Sequence, residues 1–241
     1  MKAVLVLIAA LAFAIAPFLS PDFGGFDPNR YPVPQDGPPV QPAGWAFSIW
    51  GLIYVALVAH AVVGLTLHQH DEGWQRGRVA LIVSLAVGAS WLPVAQVSPV
   101  WATVLIWVML ISALLALYQM KDARPAWQSH WPVALCAGWL TAASFVSIGL
   151  LLAGYGVVSE GTAAIFALAL ATGFATLIQV KLGHWPYGAS VAWGLAGIAQ
   201  RNVGSQMLIS GLAAAAALFI VALVFQQVRQ RSDSRKFSYR D

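Results

Sequence analysis

Eight apolar runs, each separated from the next by a polar or proline-rich interval, set the pattern of this chain. They cover residues 3–20, 44–67, 79–97, 100–120, 132–154, 162–180, 187–200 and 204–228. Most approach the roughly 20 residues that cross a bilayer at a rise of about 1.5 Å per residue. The seventh is short and reads as a tilted or partial span. Only Ser98-Pro99 divides the third run from the fourth, which predicts a tight antiparallel hairpin. The pattern predicts an all-α fold, a polytopic membrane bundle of about eight transmembrane helices. The first run has an alternative: Met1-Lys2, the apolar stretch and Ala14-Ile15-Ala16 also fit a cleaved signal peptide.

Two intervals stand apart. Residues 21–43 contain Pro21, Pro28, Pro32, Pro34, Pro38, Pro39 and Pro42 with three Asp and several Gly. Proline at that density excludes helix and sheet. The segment is either a solvated linker or a lid over a space between helices. Residues 229–241 are polar and basic and read as a disordered or interfacial tail.

Composition supports a chain whose solvent is lipid. Only 9% of residues are charged and 59% are hydrophobic, against about a quarter charged in soluble domains. With the N-terminus inside and eight spans, eleven Lys and Arg residues fall inside. These are Lys2, Arg76, Arg78, Lys121, Arg124, Lys181, Arg229, Arg231, Arg235, Lys236 and Arg240. Only Arg30 and Arg201 fall outside. That bias predicts cytoplasmic termini. It also explains the net charge of +4 as topology signals and lipid head-group contacts, with no nucleic-acid partner. Cys136 is alone, so no intramolecular disulfide forms.

Candidate chemistry is sparse. All nine Asp and Glu lie in loops or tails, and no Asp, Glu, Lys or Arg is expected in the middle of a span. That weighs against an ion-coupled transporter and against paired-carboxylate catalysis. His60 is the one histidine well inside a span. It reads either as a neutral side chain bonded to a neighbouring helix, or as a ligand contact or axial ligand to a tetrapyrrole metal. His68, His70, His130 and His184 sit at boundaries. No metal-ligand cluster, phosphate loop or nucleophile elbow is present.

Tryptophan carries most of the information. Of eleven, Trp45, Trp101, Trp127, Trp131 and Trp185 lie near interfaces and Trp74 in a loop. Trp50, Trp91, Trp107, Trp139 and Trp193 lie inside spans, where an indole N–H needs a partner. Phe47, Trp50 and Tyr54 share one face of the second helix. Ser84, Gly88 and Trp91 share a face in the third run, and Trp139, Ala143 and Ser147 in the fifth. Such faces serve helix packing, a cavity for a flat apolar ligand, or both. A sterol-type pattern, Leu115-x-x-Tyr118-x-x-Lys121, is weak evidence. So is the echo of Trp50-Gly51-Leu52 in Trp193-Gly194-Leu195.

The segment from Gln41 to Tyr54, QPAGWAFSIWGLIY, resembles the translocator protein family, also called tryptophan-rich sensory proteins (TspO/MBR). Pro42, Trp45, Phe47, Trp50 and Tyr54 match its loop-to-helix motif in kind. Gly88 and Trp91 stand where the family has Asn and Trp. Trp139, Ala143 and Ser147 stand where it has Trp, Ala and Asn. The resemblance spans roughly residues 3–154. It divides the chain into a five-helix core, 1–154 with its loop 21–43, three added helices over 155–228, and the tail 229–241. It implies an apolar cavity beneath the first loop, with Phe47, Trp50, Tyr54, Trp91, Trp139, Ala143 and Ser147 lining it, Pro42 and Trp45 at its mouth, and His60 as a further contact. It implies a bound porphyrin or haem and no required cofactor, an apolar small molecule and the bilayer as partners, a homodimer, and a bacterial inner membrane location. The function expected is binding or sensing without catalysis. Transport of an apolar or neutral solute and porphyrin breakdown are the alternatives.

Overall fold

The computed structural model describes residues 1–20 and 23–237, with side chains through residue 231. Pro21, Asp22, Arg240 and Asp241 lie outside the described residues, as do the side chains of Asp233, Arg235 and Lys236. Every regular element among the described residues is helical. The order is α1 (Lys2–Ile15), α2 (Ile49–Thr66), α3 (Glu72–Val97), α4 (Pro99–Gln119), α5 (Ala126–Ser129), α6 (Trp131–Gly154), α7 (Glu160–Leu182), α8 (Trp185–Arg201) and α9 (Met207–Phe237), with short 3₁₀ turns at Ala16–Leu19, Pro28–Arg30 and Gly44–Ser48. Seven helical segments are long and apolar enough to cross a membrane: Lys2–Leu19, Gly44–Thr66, Glu72–Val97, Pro99–Gln119, Trp131–Gly154, Glu160–Leu182 and Met207–Arg231. The chain is an integral membrane protein.

The eighth expected span, α8, has 17 residues and is too short to join them. Its ends nevertheless lie at opposite ends of the bundle. Trp185 packs edge-to-face on Trp131 at the start of α6, with centroids 5.1 Å apart. At its other end, Gly197 O accepts from Ala43 N at 3.0 Å, and Asn202, the C-cap residue, donates to Pro39 O at 2.8 Å. The helix therefore runs parallel to α6 and ends under the proline-rich loop.

Local chemistry explains the boundaries. Ser98 ends α3 and caps α4, accepting from Trp101 N at 3.3 Å, so the hairpin turns on a single residue. Asp71 and Ser159 cap α3 and α7 in the same way. Gly183, at φ 61°, closes α7 in the left-handed conformation. Helix α6 is central, with 67% of its most apolar window buried inside the protein, whereas α9 has 22% and lies at the periphery. Small residues permit close packing: a Cβ on Gly138 would overlap the Tyr187 carbonyl of α8, and one on Gly194 would press on Ala142.

Four expectations are corrected. Residues 23–43 are a packed lid and not a solvated linker. Tyr31, Gln35 and Val40 are buried, Tyr31 lies against Gly154 and Val40 against Gly149, and Val33 N donates to Gly154 O at 2.8 Å. Proline removes competing backbone donors, and of the remaining ones Val33 N and Ala43 N find helix carbonyls while Gln35 N and Gln41 N bond within the loop. Arg78 lies inside α3 and is buried. Its guanidinium donates to the carbonyls of Gly64, His68 and Gln69, each at 2.8 Å. A cation is thereby placed on the C-terminus of α2, where the helix dipole favours it. Trp74 is a buried residue in the first turn of α3 and not a loop residue. The tail is helical through Phe237 because α9 continues beyond its apolar run; a helix already nucleated in a span extends readily through Gln and Arg.

Candidate functional site

The aromatic face of the second helix is real, and other elements close around it. Trp50 and Tyr54 stack at 5.4 Å with an interplanar angle of 13°. Phe13 of α1 meets both edge-on, at 5.7 Å and 5.1 Å. From α6, Trp139 packs edge-on against Phe47 at 5.8 Å and Trp50 at 6.0 Å. From α3, Trp91 donates its N–H to Ala102 O at 2.9 Å, so one indole face is free to point inward. The lid supplies Phe23 and Phe26, which lie 5.0 Å and 6.2 Å from Trp91.

Except for Phe13 and Tyr54, these residues border a cavity of about 50 Å³, lined also by Pro42, Ile106, Ala142, Ala143, Ser147, Gly194 and Ile198. A second chamber of about 120 Å³ lies on the other side of Trp50, bordered by Phe13, Tyr54, Trp91 and Met109. The two share Phe23, Trp50, Trp91 and Ile106. Since ligand pockets hold roughly 300–1,000 Å³, the first chamber is far smaller than a drug-sized ligand needs.

Among the described residues its wall carries no acidic, basic or imidazole side chain. Ser147 spends its hydroxyl proton on Ala143 O at 2.9 Å. The Trp139 indole N–H is buried without an acceptor among the described residues, a donor held in an apolar setting. In the lid, the Tyr31 hydroxyl is also unpartnered. Burial first, and then the nearby Tyr155, raises its pKa above the ordinary phenol value, so it stays neutral.

Of the residues singled out in the sequence, Pro42, Phe47, Trp50, Trp91, Trp139, Ala143 and Ser147 border the first chamber and Tyr54 the second. Trp45 does not border either. It is 42% exposed, bonds to Gln200 Oε1 at 3.3 Å and packs edge-on on Trp193 at 4.8 Å, pinning the start of α2 to α8. His60 is also elsewhere. Its Nδ1 lies 2.9 Å from Gln128 O and its ring stacks on Trp74 at 4.9 Å, near the C-terminal end of α2. His68 also stacks on Trp74, at 4.5 Å. His60 is the interhelical hydrogen-bonding residue and lines neither chamber. On the third helix, Ser84 and Gly88 serve packing: Ser84 donates to Met109 O at 2.8 Å, and Gly88 admits Phe13.

Sequence reasoning missed Phe13, Phe23, Phe26, Gly194 and Ile198. The two lid phenylalanines sit in a segment without periodicity and left no signal. The α8 residues did have one: His130-Trp131-Pro132 and His184-Trp185-Pro186 are each followed by a tryptophan nine residues after the histidine. That repeat marks α8 as a second α6-like helix. No curated protein and no solved structure is matched by the chain. A family model described as TSPO-like protein matches residues 3–226, so the three later helices fall within the matched region although the recognisable motifs end by about residue 154.

Proposed function

The chain belongs to the TSPO-like family, and from that premise we propose that it is a membrane-embedded binding and sensory protein for a flat, apolar, tetrapyrrole-like ligand. One observation carries the reading: aromatic side chains from α1, α2, α3, α6 and the lid converge on an uncharged cavity. Indole and phenyl faces suit a conjugated ring system, and apolar contact supplies most of the affinity. The chamber is too small for such a ligand, so binding includes displacement of Phe23 and Phe26. Their segment is the movable part of the lid. It is tied back by Gln41, which donates to Gly24 O at 2.9 Å, whereas the rest of the loop is fastened to Gly154, Gly197 and Asn202.

The role proposed is binding: the described residues that line the first chamber are apolar or neutral. On the family resemblance we place the protein in a bacterial inner membrane, and on the distribution of basic residues we orient both termini toward the cytoplasm. Titration of the purified protein with protoporphyrin IX is expected to quench tryptophan fluorescence saturably, and the Trp50→Ala, Trp139→Ala double variant is expected to bind more weakly. Quenching that never saturates, or equal affinity in the double variant, rejects the proposal.

A further inference from the structure

Helices α6 and α8 open with the same three residues, and the fold brings the two copies together. His130 and His184 are the N-cap residues, neither forms a side-chain cap bond, and a proline follows within the first two helical positions of each. The imidazoles stack on each other with centroids 4.5 Å apart and planes inclined at 29°. Beside them the Trp131 and Trp185 indoles meet edge-on at 5.1 Å. His130 is 1% exposed, and its Nδ1 lies 2.7 Å from Ser129 Oγ. The His184 carbonyl accepts from Tyr187 N at 3.0 Å, and its imidazole makes no hydrogen bond among the described residues.

The surroundings are positive. Arg124 faces the pair from the segment before α5, Arg231 from α9, and His60 from α2. The Arg231 guanidinium lies against Gly183, where any Cβ would collide with it. Lys181, in the last turn of α7, is exposed. The nearby acid, Asp122, is engaged by Arg76 at 2.9 Å. Two parallel helices also turn their positive ends toward the stack.

We propose that the His130–His184 stack is a proton-sensitive latch that fastens the first turn of α8 to that of α6 and, through them, sets how tightly the cavity is closed. Neutral rings stack favourably here. An imidazolium would face a second imidazole, two helix N-termini and two guanidinium groups, with no carboxylate among the described residues to offset them. Burial, then His130, Arg231 and Arg124, lowers the His184 pKa to about 4. Burial, then Arg124, lowers that of His130. Both folded-state values lie below the unfolded value of about 6.5, so the unfolded chain binds more protons. Stability is complete above about pH 6.5 and is lost as the pH falls toward 4. The coupling to the cavity rests on the binding reading above. It follows from contact: Gly138 touches α8 at Tyr187 and Gly194 touches α6 at Ala142, while Ala142, Ala143, Gly194 and Ile198 form one side of the chamber.

The test uses the full chain in mixed micelles, unfolded by SDS at about pH 7.5 and about pH 5. Titration of His184 alone is expected to raise the wild-type unfolding constant about 30-fold across that interval. His184→Phe keeps a ring in the stack without a titrating proton and is expected to remove that 30-fold contribution, leaving the part due to His130. Arg231→Gln, which withdraws one facing cation, is expected to reduce it. A pH-independent wild type, or a His184→Phe variant as acid-sensitive as wild type, overturns the latch. A parallel arm compares protoporphyrin IX affinity at the two pH values. A change in wild type that is absent in His184→Phe supports the coupling. Equal affinity at both pH values in a protein whose stability does change overturns the coupling. If protoporphyrin IX binds at neither pH, the ligand reading fails and the unfolding arm still decides the latch.

Discussion

Trp139 and Trp91 are both buried indoles on the cavity wall, yet Trp→Phe should act on them in opposite ways. The Trp91 N–H is bonded to Ala102 O at 2.9 Å. Trp91→Phe forfeits that bond, which is on the order of 0.6–1 kcal/mol inside a membrane. It also leaves the volume of the missing ring unfilled, which costs about 1–2 kcal/mol by analogy with large-to-small core changes. The total is about 2 kcal/mol. Trp139→Phe loses a similar volume, but it also removes a buried donor that has no acceptor among the described residues, and such a group costs about 1–3 kcal/mol. The two effects nearly cancel, so Trp139→Phe should be close to neutral in the ligand-free protein. The expected gap of about 2 kcal/mol corresponds to roughly a 30-fold difference in unfolding constant. SDS titration in mixed micelles near neutral pH measures it. Equal destabilisation by the two substitutions would refute the reasoning, since the indole N–H of Trp139 would then have been satisfied after all.

Two further substitutions test how the lid and the helix ends are held. Asn202→Ala removes the donor to Pro39 O and leaves that carbonyl buried and unpaired, at about 1–3 kcal/mol; amide exchange at Val33 and Gln35 should accelerate, and unchanged protection would show that Asn202 does not anchor the loop. Arg78→Leu strips the cap from the Gly64, His68 and Gln69 carbonyls and should cost about 3–5 kcal/mol. Arg78→Lys should recover only part of this, because an ammonium lacks the planar fork that reaches three carbonyls; full recovery by lysine in the same unfolding assay would count against the capping role.

The chain was most legible where local physics decides. Runs of apolar residues and the intervals between them predicted the membrane helices and the Ser98-Pro99 hairpin. The spacing of Phe47, Trp50 and Tyr54 placed three aromatics on one face. What remained hidden is of a different kind. Trp74 stood in a polar interval of the sequence, yet it is sandwiched between His60 and His68. Arg78 looked like a loop charge and is a buried cap.

Inside a bilayer, lipid tails and a protein core are equally apolar, so a membrane helix shows little difference in hydrophobicity between its inward and outward faces. The sequence by itself therefore determined which segments enter the membrane and roughly where each begins and ends. Only the tertiary structure decided which faces meet. It directed Phe23 and Phe26 back from a loop onto Trp91, moved His60 away from the cavity, and set α8 beside α6 so that Gly194 and Ile198 complete the wall. Those choices depend on close contacts between residues far apart in the chain, and hydropathy carries no record of them.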